Sequence, residues 1–145
     1  DLRRVLQMSQ ATLADLAGKI VGVQTDTPVM KALSKGGDHE KLGATFAKLI
    51  VEPNYNQAVN ELAAGAVDAV AMDVGVAKRK MSDLPGKFEL LGEIVMTETY
   101  GIGFKLGNEE LRDQVEAELR KLFADGTAAK IAEQYGIEKS ALILK

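Results

Sequence analysis

Short β-branched runs alternate along this chain with segments of helical period, and a polar turn carrying a helix-start signal separates them. The clearest example runs from Gly18 to Val29. Ile20, Val21 and Val23 sit in a run too short for a helix, which predicts a buried strand over Lys19 to Gln24. Thr27 then precedes Pro28. A threonine oxygen can accept a free amide hydrogen at a helix start, and proline at the first helical position leaves no hydrogen unpaired, so a helix is expected from Pro28 to Leu33. Its exposed amides and dipole favour an anion near Thr27.

The same logic covers the rest of the chain. Arg4 to Met8 reads as a short strand, and Thr12 with Asp15 three residues on reads as a capping box over one turn at Leu13 to Leu16, stopped by Gly18. Asp38 is expected to cap a helical piece through Leu42. Ala47 to Val51 predicts a second strand, ended by Pro53. Asn54 with Gln57 repeats the cap pattern ahead of Ala58, Val59, Leu62 and Ala63, with a stop at Gly65. Asp68 to Asp73 predicts a third strand, followed by a helix from Val74 to about Met81.

Beyond Pro85-Gly86 come an apolar run at Phe88 to Leu91 and the glycine-alternating Tyr100 to Lys105, which is consistent with a strand of close backbone packing. Asn108 is placed to cap a helix whose Leu111, Val115, Leu119 and Leu122 form one apolar stripe. Gly126-Thr127 restarts a helix to about Tyr135, closed by Gly136. Strands alternating with helices predict a largely parallel sheet with right-handed crossovers. In such sheets ligands gather at the carboxyl ends of strands, where Thr25 to Thr27 and Asp73 both fall.

Composition narrows the chemistry. The 145 residues are enough for one domain with a real core, or one lobe with an accessory piece. No cysteine is present, so disulfides and thiolate metal sites are excluded, and the single histidine, His39, cannot build a histidine-rich metal cluster. With 18 basic against 21 acidic residues there is no global basic field to recruit nucleic acid or anionic lipid. No run approaches the roughly 20 apolar residues of a membrane span. His39 lies in a polar stretch with no nucleophile or orienting acid assignable to it. Asp73 has two readings: a cap for the next helix, or a partner for a ligand ammonium across from Thr27. A mouth favouring a carboxylate at one end and an amine at the other suits an α-amino acid.

Taken in order, several segments resemble the solute-binding proteins of polar amino-acid ABC transporters, the type 2 periplasmic-binding-protein fold. They are Leu13-Ala14-Asp15-Leu16, Gly18-Lys19 before Val21-Gly22-Val23-Gln24, Val67-Asp68-Ala69-Val70 with Asp73, Tyr100-Gly101-Ile102, and Leu122 to Thr127 before Ile131. The resemblance implies an α/β, three-layer lobe with a mostly parallel five-stranded sheet and one antiparallel crossover strand. By that analogy residues 1–98 look like the second lobe of a two-lobed clam, and residues 99–145 like a crossover strand and two helices that join a first lobe whose body is missing.

Carried over position by position, the resemblance implies ligand contacts from Asp73 to an ammonium and from Thr27 and the helix start to a carboxylate, with Gln24, Thr25 and Asp26 at the strand end. Asp26 stands where the family usually has glycine, and Pro28 where it usually has a serine or threonine with a donating amide. The implied function is extracytoplasmic or periplasmic binding of an amino acid or similar small polar solute for an ABC permease. No cofactor, metal, catalytic residue, nucleic acid or membrane insertion is expected, and the lobe alone is expected to bind weakly. A dehydratase-like enzyme and a ligand-sensing regulatory domain are the alternatives on the same scaffold. Without a first lobe, the stripe from Leu111 to Leu122 is expected to fold back on its own lobe or to form a homodimer through the C-terminal segment.

Overall fold

The computed structural model describes residues 11–137 and Leu142. The expected strand at Arg4 to Met8 and most of the tail lie outside the described residues. The chain divides into two compact units, Asp1–Glu98 and Thr99–Lys145.

In the first unit, β1 (Ile20–Gln24), β2 (Lys48–Glu52) and β3 (Ala69–Ala71) form a parallel sheet of order β2-β1-β3. Val21 faces Leu49 on one side and Ala69 on the other, and Gln24 is in register with Glu52. Helix α1 (Pro28–Leu33) and the short α2 (Glu40–Gly43) link β1 to β2, while α3 (Tyr55–Ala64) links β2 to β3 and α4 (Val74–Asp83) follows. The first crossover runs outward from the central strand and the second runs back over it, so with right-handed connections α1 and α3 lie on opposite faces of the sheet.

Side-chain alternation along β1 serves both faces. Val21 and Val23 are almost completely buried and join Leu16, Val29, Leu33 and Phe46 in one core cluster. Gly22 and Gln24 therefore point to the face that carries α3. Burying one such valine removes enough apolar area from water to stabilise the fold by about 1.5–3 kcal/mol.

The local signals correspond closely to the observed elements. The turn at Leu13–Leu16 is 3-10 helical, with Asp15 Oδ2 accepting from the Thr12 amide at 2.8 Å and from its hydroxyl at 2.9 Å. Asn54 Oδ1 accepts from the Gln57 amide at 3.0 Å, and Gly65 ends α3 with a φ of 78°. At α2 the cap position is occupied by His39, one residue beyond the expected Asp38, and no side chain caps it.

One expected strand is absent. Tyr100 to Lys105 is irregular, as is the apolar run Phe88 to Leu91, and the sheet among the described residues has three strands, all parallel. A strand exists only by pairing, and neither segment joins the β-ladder among the described residues. Leu91, Val95 and Met96 instead pack against the core cluster, and Glu93 Oε2 accepts the Leu13 amide at 2.7 Å. The second unit consists of α5 (Glu109–Ala124) packed on α6 (Thr127–Gln134). The stripe on α5 lines a shallow apolar groove of Leu111, Val115, Leu119 and Leu122, flanked by Gln114 and Glu118.

Candidate functional site

The parallel order brings the turns after β1, β2 and β3 to one edge of the sheet. All five candidate residues, Gln24, Thr25, Asp26, Thr27 and Asp73, lie there, at the carboxyl ends of the neighbouring strands β1 and β3. In a sheet of order β2-β1-β3 the strand order reverses at β1, and the crevice lies at the switch point between the β1 and β3 turns.

Each turn is tied down by hydrogen bonds. The Thr25 amide donates to the Glu52 carbonyl at 2.8 Å, fastening the first turn to the end of β2. Thr27 caps α1 in both directions: its hydroxyl donates to the Gln24 carbonyl at 2.7 Å, and its oxygen accepts from the Met30 amide at 3.3 Å. That hydroxyl proton is committed, so the main chain of the turn is what Thr27 can offer a ligand. Asp26 is exposed and has a φ of 59°, which puts a non-glycine residue in the left-handed region. This accounts for a glycine preference at the position, and aspartate is among the few other residues that adopt it routinely.

Asp73 combines its two readings in one carboxylate. Oδ1 accepts from the Val76 amide at 3.0 Å and caps α4, and the half-buried side chain keeps its place at the end of β3. A carboxylate that caps a helix remains an anion, so capping leaves the charge in position for a cation at the crevice.

Tyr55, at the first position of α3, was not among the sequence candidates. Its amide donates to Gln24 Oε1 at 2.9 Å. Burial raises its phenol above the usual tyrosine range, and the Asp73 and Glu98 carboxylates add to this, while a hydrogen bond from the Asp73 main chain opposes it. The phenol therefore stays protonated at neutral pH. The rule that ligands gather at strand ends applies to β2 as well as to β1 and β3, and would have pointed to this turn. On the α3 face, Glu52 is buried, and burial first, then the neighbouring Glu61 carboxyl, raise its pKa above the ordinary value. His39 is half-buried at the start of α2 and is not part of this edge. Among the described residues, no three of His, Cys, Asp and Glu are grouped to hold a metal ion.

No family model matches the chain. The glutamate-binding protein GluB of Corynebacterium glutamicum is 30% identical over 94 residues, covering 61% of this chain and 32% of that protein. The ABC transporter glutamine-binding protein GlnH of Bacillus subtilis is 26% identical over 133 residues, covering 89% of this chain and 48% of that protein. Among solved structures, an ancestral arginine-binding protein bound to glutamine superposes with a TM-score of 0.69 at 34% identity, over 88% of this chain and 54% of that one. The same kind of protein bound to arginine gives 0.68 at 33% identity, with the same coverage. The chain is related to the amino-acid-binding proteins of ABC transporters. This binding-protein relative spans less than half the length of either curated relative. Its α/β architecture, with a parallel sheet flanked by helices, is that of a periplasmic-binding-protein lobe.

Proposed function

We propose that this chain contributes one lobe to the binding of an amino acid outside the cytoplasm, for delivery to an ABC importer. The observation that carries the reading is the meeting of the Gln24–Thr27 turn and Asp73 at one edge of a parallel sheet, in a chain whose relatives are described as glutamate-, glutamine- and arginine-binding proteins. In this account Asp73 takes the ligand ammonium, and the main chain of Thr27 at the helix start faces its carboxylate. Residues 1–98 act as the lobe, and residues 99–145 as the segment that crosses to a first lobe.

The chain is a binding protein rather than an enzyme in this reading, as its curated relatives are. Among the described residues no helix is long and apolar enough to cross a membrane. A lone lobe makes only its own share of contacts and leaves the charged ends of the ligand half solvated, so its affinity is low. Calorimetric titration with an amino-acid panel tests this directly. Weak binding that strengthens when a first lobe is supplied supports the reading, whereas micromolar binding by this chain alone overturns the assignment of half a site. For assembly, the exposed Leu111 and Leu122 on α5 suit a second copy of the chain. Light scattering of a strict monomer would contradict that homodimer.

A further inference from the structure

We propose that Tyr55 is a positioning residue whose main-chain N–H turns the Gln24 carboxamide, so that the ligand group meeting Gln24 is a hydrogen-bond acceptor. The proposal rests on the amino-acid reading above and adds the polarity of one of its contacts.

The first amides of a helix have no partner within it and need an acceptor from outside. In α3 the Asn54 side chain supplies one for Gln57, and Gln24 Oε1 supplies one for Tyr55 at 2.9 Å. A peptide N–H can only donate, so the amide atom facing it must be the oxygen. The alternative orientation would set the Gln24 NH2 group against another donor. Nε2 is thereby left as the open end of the amide, and it has no acceptor among the described residues. The link spans 31 residues of sequence, and Glu52 fastens the two turns beside it: Gln24 is in register with Glu52, and the Thr25 amide is bonded to the Glu52 carbonyl.

Gln24 therefore reaches the crevice as a donor of fixed orientation, matched to a carboxylate or amide oxygen and mismatched to an ammonium or guanidinium. Asp73, just beyond the end of the neighbouring strand, has the opposite polarity. The two side chains give the edge a donor end and an acceptor end, and the orientation of an amino acid in it follows from that order.

Proline at the first helical position removes the N–H and little else, because its fixed φ suits that position. Asn54, which would precede it, already has an extended backbone with φ −159° and ψ 162°, the conformation proline requires of its predecessor. The test is an NMR titration of the full chain with glutamate, glutamine and arginine, comparing Tyr55→Pro with Tyr55→Ala, which loses the phenol but keeps the N–H. Denaturation midpoints of the two variants establish that both fold.

Tyr55→Pro is expected to bind about 3- to 10-fold more weakly than Tyr55→Ala, the range of one hydrogen bond. Gln24→Glu, which keeps an oxygen for the Tyr55 N–H but presents an acceptor at the open end, is expected to weaken glutamate at least about 10-fold. Equal affinities for the two Tyr55 variants, or glutamate binding unchanged in Gln24→Glu, overturn the proposal while the amino-acid reading stands. Wild-type chain that binds none of the three overturns both.

Discussion

Asp26 is where backbone geometry and charge bear most directly on the crevice, and the two can be separated by substitution. At its φ of 59° an L-residue carries a steric cost of about 1–2 kcal/mol, with aspartate toward the low end because its short side chain can bond locally. Glycine carries no such cost, but it gives the unfolded chain extra freedom worth about 0.4–1 kcal/mol. Asp26→Gly is therefore expected to stabilise the protein by about 0.5 kcal/mol net, a rise in melting temperature of about 1–2 °C for a chain of this size.

The sharper comparison is Asp26→Gly with Asp26→Ala. At an ordinary exposed position alanine is the more stable of the two by about 0.4–1 kcal/mol, whereas at a left-handed position glycine leads by about 1 kcal/mol. Urea denaturation with a common slope reads the difference. An alanine variant as stable as the glycine variant would refute the left-handed turn and the account of the strand end built on it. Asp26→Asn supplies the functional arm, since it keeps a residue tolerant of this backbone while removing the charge. It is expected to favour ligands with a carboxylate, most visibly at low salt.

Two further outcomes follow from the packing around the sheet. Glu52 has a raised pKa through burial and the nearby Glu61, so its protonated form is favoured by folding. The stability it confers is fully present below the ordinary glutamate value of 4.5 and is lost as the pH rises through the raised value. Glu52→Gln should flatten that loss above pH 4.5 in urea midpoints, and an unchanged pH profile would show that Glu52 is not its source. A Cβ on Gly43 would stand 1.9 Å from the Leu33 carbonyl oxygen, a backbone atom with no room to retreat. Gly43→Ala should cost about 1–3 kcal/mol by chemical denaturation, and wild-type stability would contradict the close approach of α2 to the end of α1.

What the sequence disclosed depended on how far each signal reaches. Thr27 with Pro28, Asn54 with Gln57, and Asp73 before Val74 are caps complete within four residues, and each appears as a hydrogen-bonded helix start. Tyr100 to Lys105 has the composition of a strand, but strands need a partner edge that no local pattern supplies, and the segment is irregular. The cap at α2 moved from Asp38 to His39 because the tight turn at Gly36-Gly37 sets where the helix begins; a Cβ on Gly37 would meet the Lys31 carbonyl at 2.1 Å. The Gln24–Thr27 turn and Asp73 could be placed at one edge by the parallel-sheet rule alone. Tyr55 could not be linked to Gln24 in that way, since their bond joins two turns 31 residues apart.

The charge of Asp73 is proposed to hold the ammonium of an amino acid, beyond its part in starting α4. Asp73→Asn isolates that charge, because asparagine caps helices as well as aspartate does. Its binding should be measured by titration beside its denaturation midpoint. The midpoint is expected within about 0.5 kcal/mol of wild type and the affinity for amino acids lowered about 10- to 100-fold, the range of a charged hydrogen bond. Undiminished binding in a folded Asp73→Asn chain would contradict that role.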